Sequence, residues 1–263
     1  MTTLSARQDG AVLFAEIAAP PMNLLGPELV RDLVGLIRRA EADDGIKVLV
    51  FKSADPDYFI SHVDVTKIKE YRDEAAKLIG EASIALLFRH LSASRLVTIA
   101  QIEGRVRAAG SEFVLACDMR FAARETAIFA QPEAGTGVSP GGGGMQHLAR
   151  LMGRGRALEV MLSAEDYDAE LAERYRWINR ALPVDVAIPI YSARVRSNPR
   201  NKAGSKPRSS AASRRETRKW TWPDYLATWT DRPARQCRRH IESSLSTNRR
   251  EKLTEPENDR TIP

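Results

Sequence analysis

The sequence predicts an α/β fold in which helices pack on a sheet. Residues 11–17 and 48–52 are short apolar runs rich in strand-forming residues, and the segment 27–43 between them has apolar residues at helical spacing. The alternation then repeats, because the helical segment 73–91 precedes a buried-strand pattern at 96–102. Strands and helices that alternate along a chain form layered α/β domains, so we expect one such domain.

The segment 27–43 shows how the first helix is encoded. Pro27 suits the first helical position, where the N–H group that proline lacks has no partner in any case. Leu29, Leu33 and Leu36 follow at helical spacing and predict one apolar face that packs on the sheet.

The later elements continue the same pattern up to Pro183. A helix is expected at 110–116, and a glycine-rich loop at 135–144 precedes the second long helix. The other predicted elements are strands at 119–125 and 127–133, a helix at 145–163, a short helix at 168–178 and a strand at 180–183.

Beyond the pattern lies a basic segment. Residues 191–263 hold 18 Lys and Arg against 8 Asp and Glu, whereas residues 1–190 hold 22 against 26. The segment shows neither helical nor strand periodicity, so we expect one domain at 1–185 and a poorly ordered basic tail at 186–263. The abrupt change suggests a shifted reading frame as a hypothesis, which translation of the gene in the other frames would check.

Two features bear on compartment and cofactors. The chain has only Cys117 and Cys237, too few for a disulfide framework, and its four histidines lack metal-ligand spacing. It has no basic start followed by a secretory apolar run and no stretch of about 18 apolar residues. These features predict a cytoplasmic protein without a metal site.

Two carboxylates are candidates for proton transfer. Glu112 is followed by Phe113, Val114 and Leu115, and Glu133 follows the apolar strand pattern of 127–130. Apolar surroundings raise the pKa of a carboxyl group and suit it to acid–base work near neutral pH. The alternative for Glu112 is a solvated residue that complements the dipole of a helix N-terminus.

Small residues mark two further places. Ala108, Ala109 and Gly110 stand between a predicted strand and a helix, where free N–H groups can face an anion or where helix and sheet pack closely. The run 141–144 of four glycines lacks the Lys and Ser or Thr of a phosphate-binding loop. The sequence shows no strand-to-helix nucleophile elbow that would supply a serine for His62 to activate. This argues against a hydrolase with a catalytic triad.

Three segments, 48–65, 99–123 and 128–183, together resemble the crotonase, or enoyl-CoA hydratase/isomerase, family over about residues 10–185. The motifs are VLVFKSADPDYFISHVDV, IAQIEGRVRAAGSEFVLACDMRFAA and a segment that begins IFAQPEAGTGVSPGGGGMQHLARLMG. The resemblance implies a spiral of repeated ββα units, assembly as trimers or hexamers, and an acyl-CoA thioester substrate. Coenzyme A would be part of the substrate, and no separate cofactor is implied.

The resemblance also implies roles for backbone groups. The N–H groups of Val63 and Ala109 fall on the family's two oxyanion-hole positions, although both side chains depart from the usual residues. Further positions are implied to border the thioester, the nucleotide or the acyl chain, and these are Ser61, Asp64, Val65, Thr66, Gly110 and Gly141.

Both glutamates of the family's hydratases are present, as Glu112 and Glu133. The resemblance implies that Glu112 activates a water molecule for attack at C3 of a 2-enoyl-CoA and that Glu133 exchanges the proton at C2. An isomerase, or other thioester-enolate chemistry at the same site, is the second hypothesis. A non-catalytic scaffold whose basic tail binds nucleic acid is the third, and the lack of an RNA-binding motif disfavours it.

Overall fold

The computed structural model describes residues 1–184 of the 263-residue chain. This part contains two β-sheets and seven α-helices. The strands are β1 (Leu4–Asp9), β2 (Val12–Ile17), β3 (Val48–Ser53), β4 (Tyr58–Ile60), β5 (Val97–Ile102), β6 (Arg105–Arg107), β7 (Met119–Ala123), β8 (Ile128–Ala130), β9 (Asp166–Asp168) and β10 (Arg180–Leu182). The helices are α1 (Pro27–Ala42), α2 (Ile68–Ile79), α3 (Ile84–Ala93), α4 (Ala109–Ala116), α5 (Gly144–Met152), α6 (Arg154–Ser163) and α7 (Ala169–Arg174).

After β1 and β2, each turn of the chain contributes one strand to each sheet. The larger sheet has the order β1-β2-β3-β5-β7-β10, and the smaller one has the order β4-β6-β8-β9. The pairs β3–β4, β5–β6 and β7–β8 are each followed by helices, and neighbouring strands of successive turns are parallel. The predicted α/β spiral of repeated ββα units is therefore confirmed.

The core lies between the sheets and the helices. Phe113 of α4 stacks edge-on against Phe51 of β3 and Phe88 of α3, with ring centroids 5.0 and 5.7 Å apart. Trp177 is fully buried against Phe129 of β8. Aromatic rings bury large apolar surfaces in such edge-on pairs, which hold helices of different turns together.

Two segments that the sequence predicts to be helical each contain two separate helices. The segment 73–91 contains the end of α2 and most of α3, with a break at Gly80, and 145–163 contains α5 and α6, with a break at Gly153. Both glycines have φ of +82°, a conformation that ends a helix and that glycine adopts without strain. The prediction of single helices was wrong because apolar periodicity continued across each break.

The limits of the described part leave some predictions open. No helix within residues 1–184 is long and apolar enough to span a membrane. The basic segment 186–263 lies outside the described residues, so its lack of order and its shifted frame stay predictions.

Candidate active site

Three loops meet at one edge of the smaller sheet because their strands are parallel. Ile60 of β4 is in register with Val106 of β6, and Arg107 of β6 is in register with Ala130 of β8. The carboxyl ends of the three strands therefore lie side by side, which is where α/β sheets place their ligand sites. The loops beyond these strand ends carry the candidate residues around Val63, Glu112 and Glu133.

The loops enclose a cavity of about 610 Å³. Most of the residues that the sequence predicted for the site form its wall, although they come from three turns of the chain. They are Ser61, Val63, Val65, Ala109, Glu112, Glu133 and Gly141.

Glu112 is held inside the protein by the glycine run. Its side chain projects from α4, the residue is 3% exposed, and Oε1 accepts hydrogen bonds from the N–H groups of Gly142 at 2.7 Å and Gly144 at 2.9 Å. A Cβ atom at position 142 would stand 2.6 Å from Oε2 of Glu112. The glycines thus let the backbone pass close to the carboxylate group. This contact explains the run of four glycines at 141–144, which does not match a phosphate-binding loop.

Burial raises the pKa of Glu112 to about 7. The negative charge of Glu133 raises it further, whereas the N–H groups of the glycine run act in the opposite direction by stabilising the ionised form. A carboxyl group with this pKa is present in both protonation states near neutral pH. The structure does not support the alternative of a solvated glutamate at a helix end.

Glu133 lies on the same cavity in the 3-10 turn Pro132–Thr136 that follows β8. Burial raises its pKa, and its Oε1 accepts a hydrogen bond from Nε2 of Gln131 at 2.9 Å. Its Oε2 is buried and has no hydrogen-bond partner among residues 1–184. One oxygen is therefore positioned by the protein, and the other is left without a hydrogen bond to the described residues.

Two backbone N–H groups on the cavity wall are also available. Leu25 bonds to both neighbours of Val63, accepting from Asp64 N and donating to the carbonyl of His62, so the amide of Val63 faces the other side. Ala109 is the first residue of α4, where N–H groups have no partner within the helix. Neither group donates a hydrogen bond to the described residues.

Ala108 turns the chain into α4 with a conformation that disfavours alanine. Its φ and ψ are +47° and −123°. Its N–H donates to the carbonyl of Ala130 at 3.2 Å, and its carbonyl accepts from Glu112 N at 3.1 Å. These bonds hold the residue in a strained region at the start of α4, next to Ala109 of the cavity wall.

We expect Ala108→Gly to raise the free energy of unfolding by about 1 kcal/mol, because glycine relieves the strain at the cost of some chain entropy. Urea denaturation of both proteins measures the difference. Ala109→Gly is the matched control, since Ala109 has helical backbone angles and glycine there should destabilise by about 0.5–1 kcal/mol. If both changes destabilise equally, Ala108 is not strained.

Three predicted residues do not form the cavity wall. Asp64 accepts hydrogen bonds from the N–H and hydroxyl of Thr66, which closes a turn before α2. Gly110 lies against β4, where a Cβ atom would stand 2.0 Å from the carbonyl oxygen of Ile60. Gly110 thus serves close packing of helix and sheet, the alternative that its small size had suggested, and any CoA contact of Asp64 and Thr66 stays a prediction.

The structure adds residues that the sequence did not single out. The helices α2 and α3 contribute Tyr71, Arg72 and Ile84 to the wall, and β6 contributes Arg107. Gln131 positions Glu133, as described above. The pair Gln131 and Glu133 was visible in the sequence as neighbours two residues apart, whereas nothing in α2 distinguished its cavity residues from ordinary helix residues.

Comparison with known proteins identifies a single family. A family model described as enoyl-CoA hydratase/isomerase matches residues 7–193. A solved structure from Streptomyces avermitilis, described as a candidate enoyl-CoA hydratase, is 54% identical, with a TM-score of 0.73 over 76% of this chain and 73% of that one. DspI of Pseudomonas aeruginosa is 30% identical, with a TM-score of 0.68 over 88% of this chain and 95% of its own.

Curated proteins give the same result at lower identity. The short-chain-enoyl-CoA hydratase of Clostridium acetobutylicum is 28% identical over 66% of this chain and 67% of its own length. The crotonyl-CoA hydratase of Syntrophomonas wolfei is 27% identical, over 64% of each protein. The alpha subunit of the fatty acid oxidation complex of Shewanella frigidimarina is 29% identical over 70% of this chain, which spans only 26% of that subunit.

Proposed function

The chain belongs to the enoyl-CoA hydratase/isomerase family, and on this premise we propose that it adds water to the double bond of a 2-enoyl-CoA thioester. The observation that carries the proposal is the meeting of Glu112 and Glu133, both with raised pKa, on one cavity. The N–H groups of Val63 and Ala109 on the same wall complete the set of groups that the reaction needs.

The two N–H groups would bind the thioester oxygen. Addition of water at C3 moves the electrons of the double bond toward this oxygen, so that an enolate develops. Donors aimed at such a developing charge stabilise the transition state by about 3 kcal/mol each in comparable sites. The position of Val63 and Ala109 at the cavity, and the lack of protein acceptors for their N–H groups within residues 1–184, support the proposed oxyanion-hole role.

The two carboxyl groups would divide the proton transfers. Ionised Glu112 takes a proton from water as the oxygen of that water bonds to C3, and protonated Glu133 gives a proton to C2 through its free Oε2. The two groups titrate as a coupled pair, because the charge of Glu133 raises the pKa of Glu112. Hydration would use the state in which the pair holds one proton and Glu133 carries it.

Two carboxyl groups favour hydration over isomerisation, since simple proton transfer between carbon atoms needs only one.

We also propose that the substrate supplies the coenzyme A, that no other cofactor takes part, and that the protein is a cytoplasmic homotrimer or hexamer. A binding role for the basic tail has no support from the described residues.

Incubation of the purified full chain with crotonyl-CoA tests the proposed function. We expect 3-hydroxybutyryl-CoA, detected by chromatography and mass spectrometry, and light scattering on the same sample gives the size of the assembly. Formation of 3-butenoyl-CoA without hydration would assign an isomerase instead. A folded, monodisperse protein that converts no 2-enoyl-CoA would contradict the proposal.

A further inference from the structure

One end of the cavity is formed by α2 and α3 and has no role in the proposed proton transfers. Tyr71 and Arg72 of α2 and Ile84 of α3 contribute its wall. Tyr71 is 4% exposed, whereas Arg72 is exposed. The end therefore combines a mainly apolar interior with a cationic group.

This end lies on the Glu112 side of the cavity. A Cβ atom at Gly142 would contact both Glu112 and Phe88 of α3, at 2.6 and 3.0 Å. Burial raises the pKa of Tyr71, and the charge of Glu112 adds to that effect, so the phenol also lies near this carboxyl group. If Glu112 directs water to C3, the part of the acyl group beyond C3 continues toward α2 and α3. This direction of the acyl group rests on the proposed function.

Arg72 differs from the other cations of its surroundings. Lys69 and Lys77 on the same helix pair with Asp73 and Glu74, and Arg107 across the cavity pairs with Asp166 at 3.2 Å. Arg72 pairs with no carboxylate among residues 1–184. A guanidinium group has five donors, so most of them are left for a planar anion.

We infer that the cavity accepts 2-enoyl thioesters whose acyl chain ends in a carboxylate, held by Arg72. A carboxylate forms charged, paired hydrogen bonds with a guanidinium group, whereas a plain hydrocarbon end offers it none. The substrate class is therefore the thioester of an unsaturated dicarboxylic acid.

Binding of saturated thioesters tests this inference without any turnover. Adipyl-CoA and hexanoyl-CoA have the same chain length and differ only in the terminal carboxylate, and glutaryl-CoA and pentanoyl-CoA form a second pair one carbon shorter. We expect the full chain to bind the carboxylate member of at least one pair about tenfold more tightly in calorimetry. Arg72→Met should abolish this preference, and Lys69→Met on the same helix should preserve it.

The phosphates of coenzyme A are the other anions that Arg72 could bind. In that case Arg72→Met would weaken both members of each pair equally and would have no effect on thioesters of N-acetylcysteamine, which lack the nucleotide. That outcome, or equal binding of both members of both pairs by the unmodified protein, overturns the inference. A carboxylate preference in a protein that hydrates no 2-enoyl-CoA, with or without a terminal carboxylate, would contradict the hydration reaction alone, and hydration without the preference would contradict the inference alone.

Discussion

Glu112→Gln is expected to lower kcat for crotonyl-CoA hydration by about 10² to 10⁴-fold, the usual contribution of a positioned general base. Glutamine keeps the shape of the side chain and an oxygen for the N–H groups of Gly142 and Gly144, but it cannot take a proton from water. As the pH rises through the range around 7, the rate of the unmodified protein should pass through a maximum, because Glu112 must be ionised to act as a base while Glu133 must keep its proton. Initial rates across that range check both expectations.

The same substitution should stabilise the fold at neutral pH. The pKa of Glu112 is raised from 4.5 to about 7 by folding, so the folded state holds a proton that the unfolded state has released between these two values. The contribution of Glu112 to stability therefore falls as the pH rises from 4.5 to 7 and is unfavourable above that range. Removal of the charge should add roughly 3 kcal/mol above pH 7 and nothing below pH 4.

Glu74→Gln is the control of opposite sign. Glu74 is buried too, but its hydrogen bonds to Lys77 and Arg31 outweigh burial and lower its pKa. Its charge is favourable in the folded state above pH 4.5, so this variant should lose stability at neutral pH and keep its activity. Urea denaturation at pH 4 and pH 8 separates the two variants, and equal shifts would show that the environment of Glu112 is not desolvating.

Glu133→Gln is expected to lower kcat by a similar factor, about 10² to 10⁴-fold, for a different reason. An amide cannot give a proton to C2, so exchange of the C2 hydrogen of 3-hydroxybutyryl-CoA with deuterium oxide should stop as well. Proton NMR of the substrate follows that exchange.

Glu103→Gln is a closely matched control. Glu103 accepts a hydrogen bond from Nε2 of Gln101 at 2.8 Å, as Glu133 accepts one from Gln131 at 2.9 Å, but Glu103 does not line the cavity. The control should keep both hydration and exchange. Full C2 exchange in Glu133→Gln would contradict the role proposed for Glu133.

The longer elements were predictable because local periodicity encodes burial. The apolar residues of α1, β2, β3 and β5 repeat at the spacing of their structure, and these elements lie within about two residues of the predicted ranges. The strands β4 and β6 have three residues each and were not predicted. Neither strand shows a period of its own, and both exist because neighbouring turns of the spiral pair with them.

The candidate site was also predictable from the sequence only in part. The sequence alone determined that Glu112 and Glu133 are carboxylates beside apolar residues and that glycines follow them. Only the tertiary structure decided that Gly142 and Gly144 donate to Glu112 across about 30 residues and that Arg72 joins the cavity from α2. The spacing of apolar residues along the chain predicts which residues are buried. Contacts between distant residues depend on the register of parallel strands, and no local sequence pattern predicts that register.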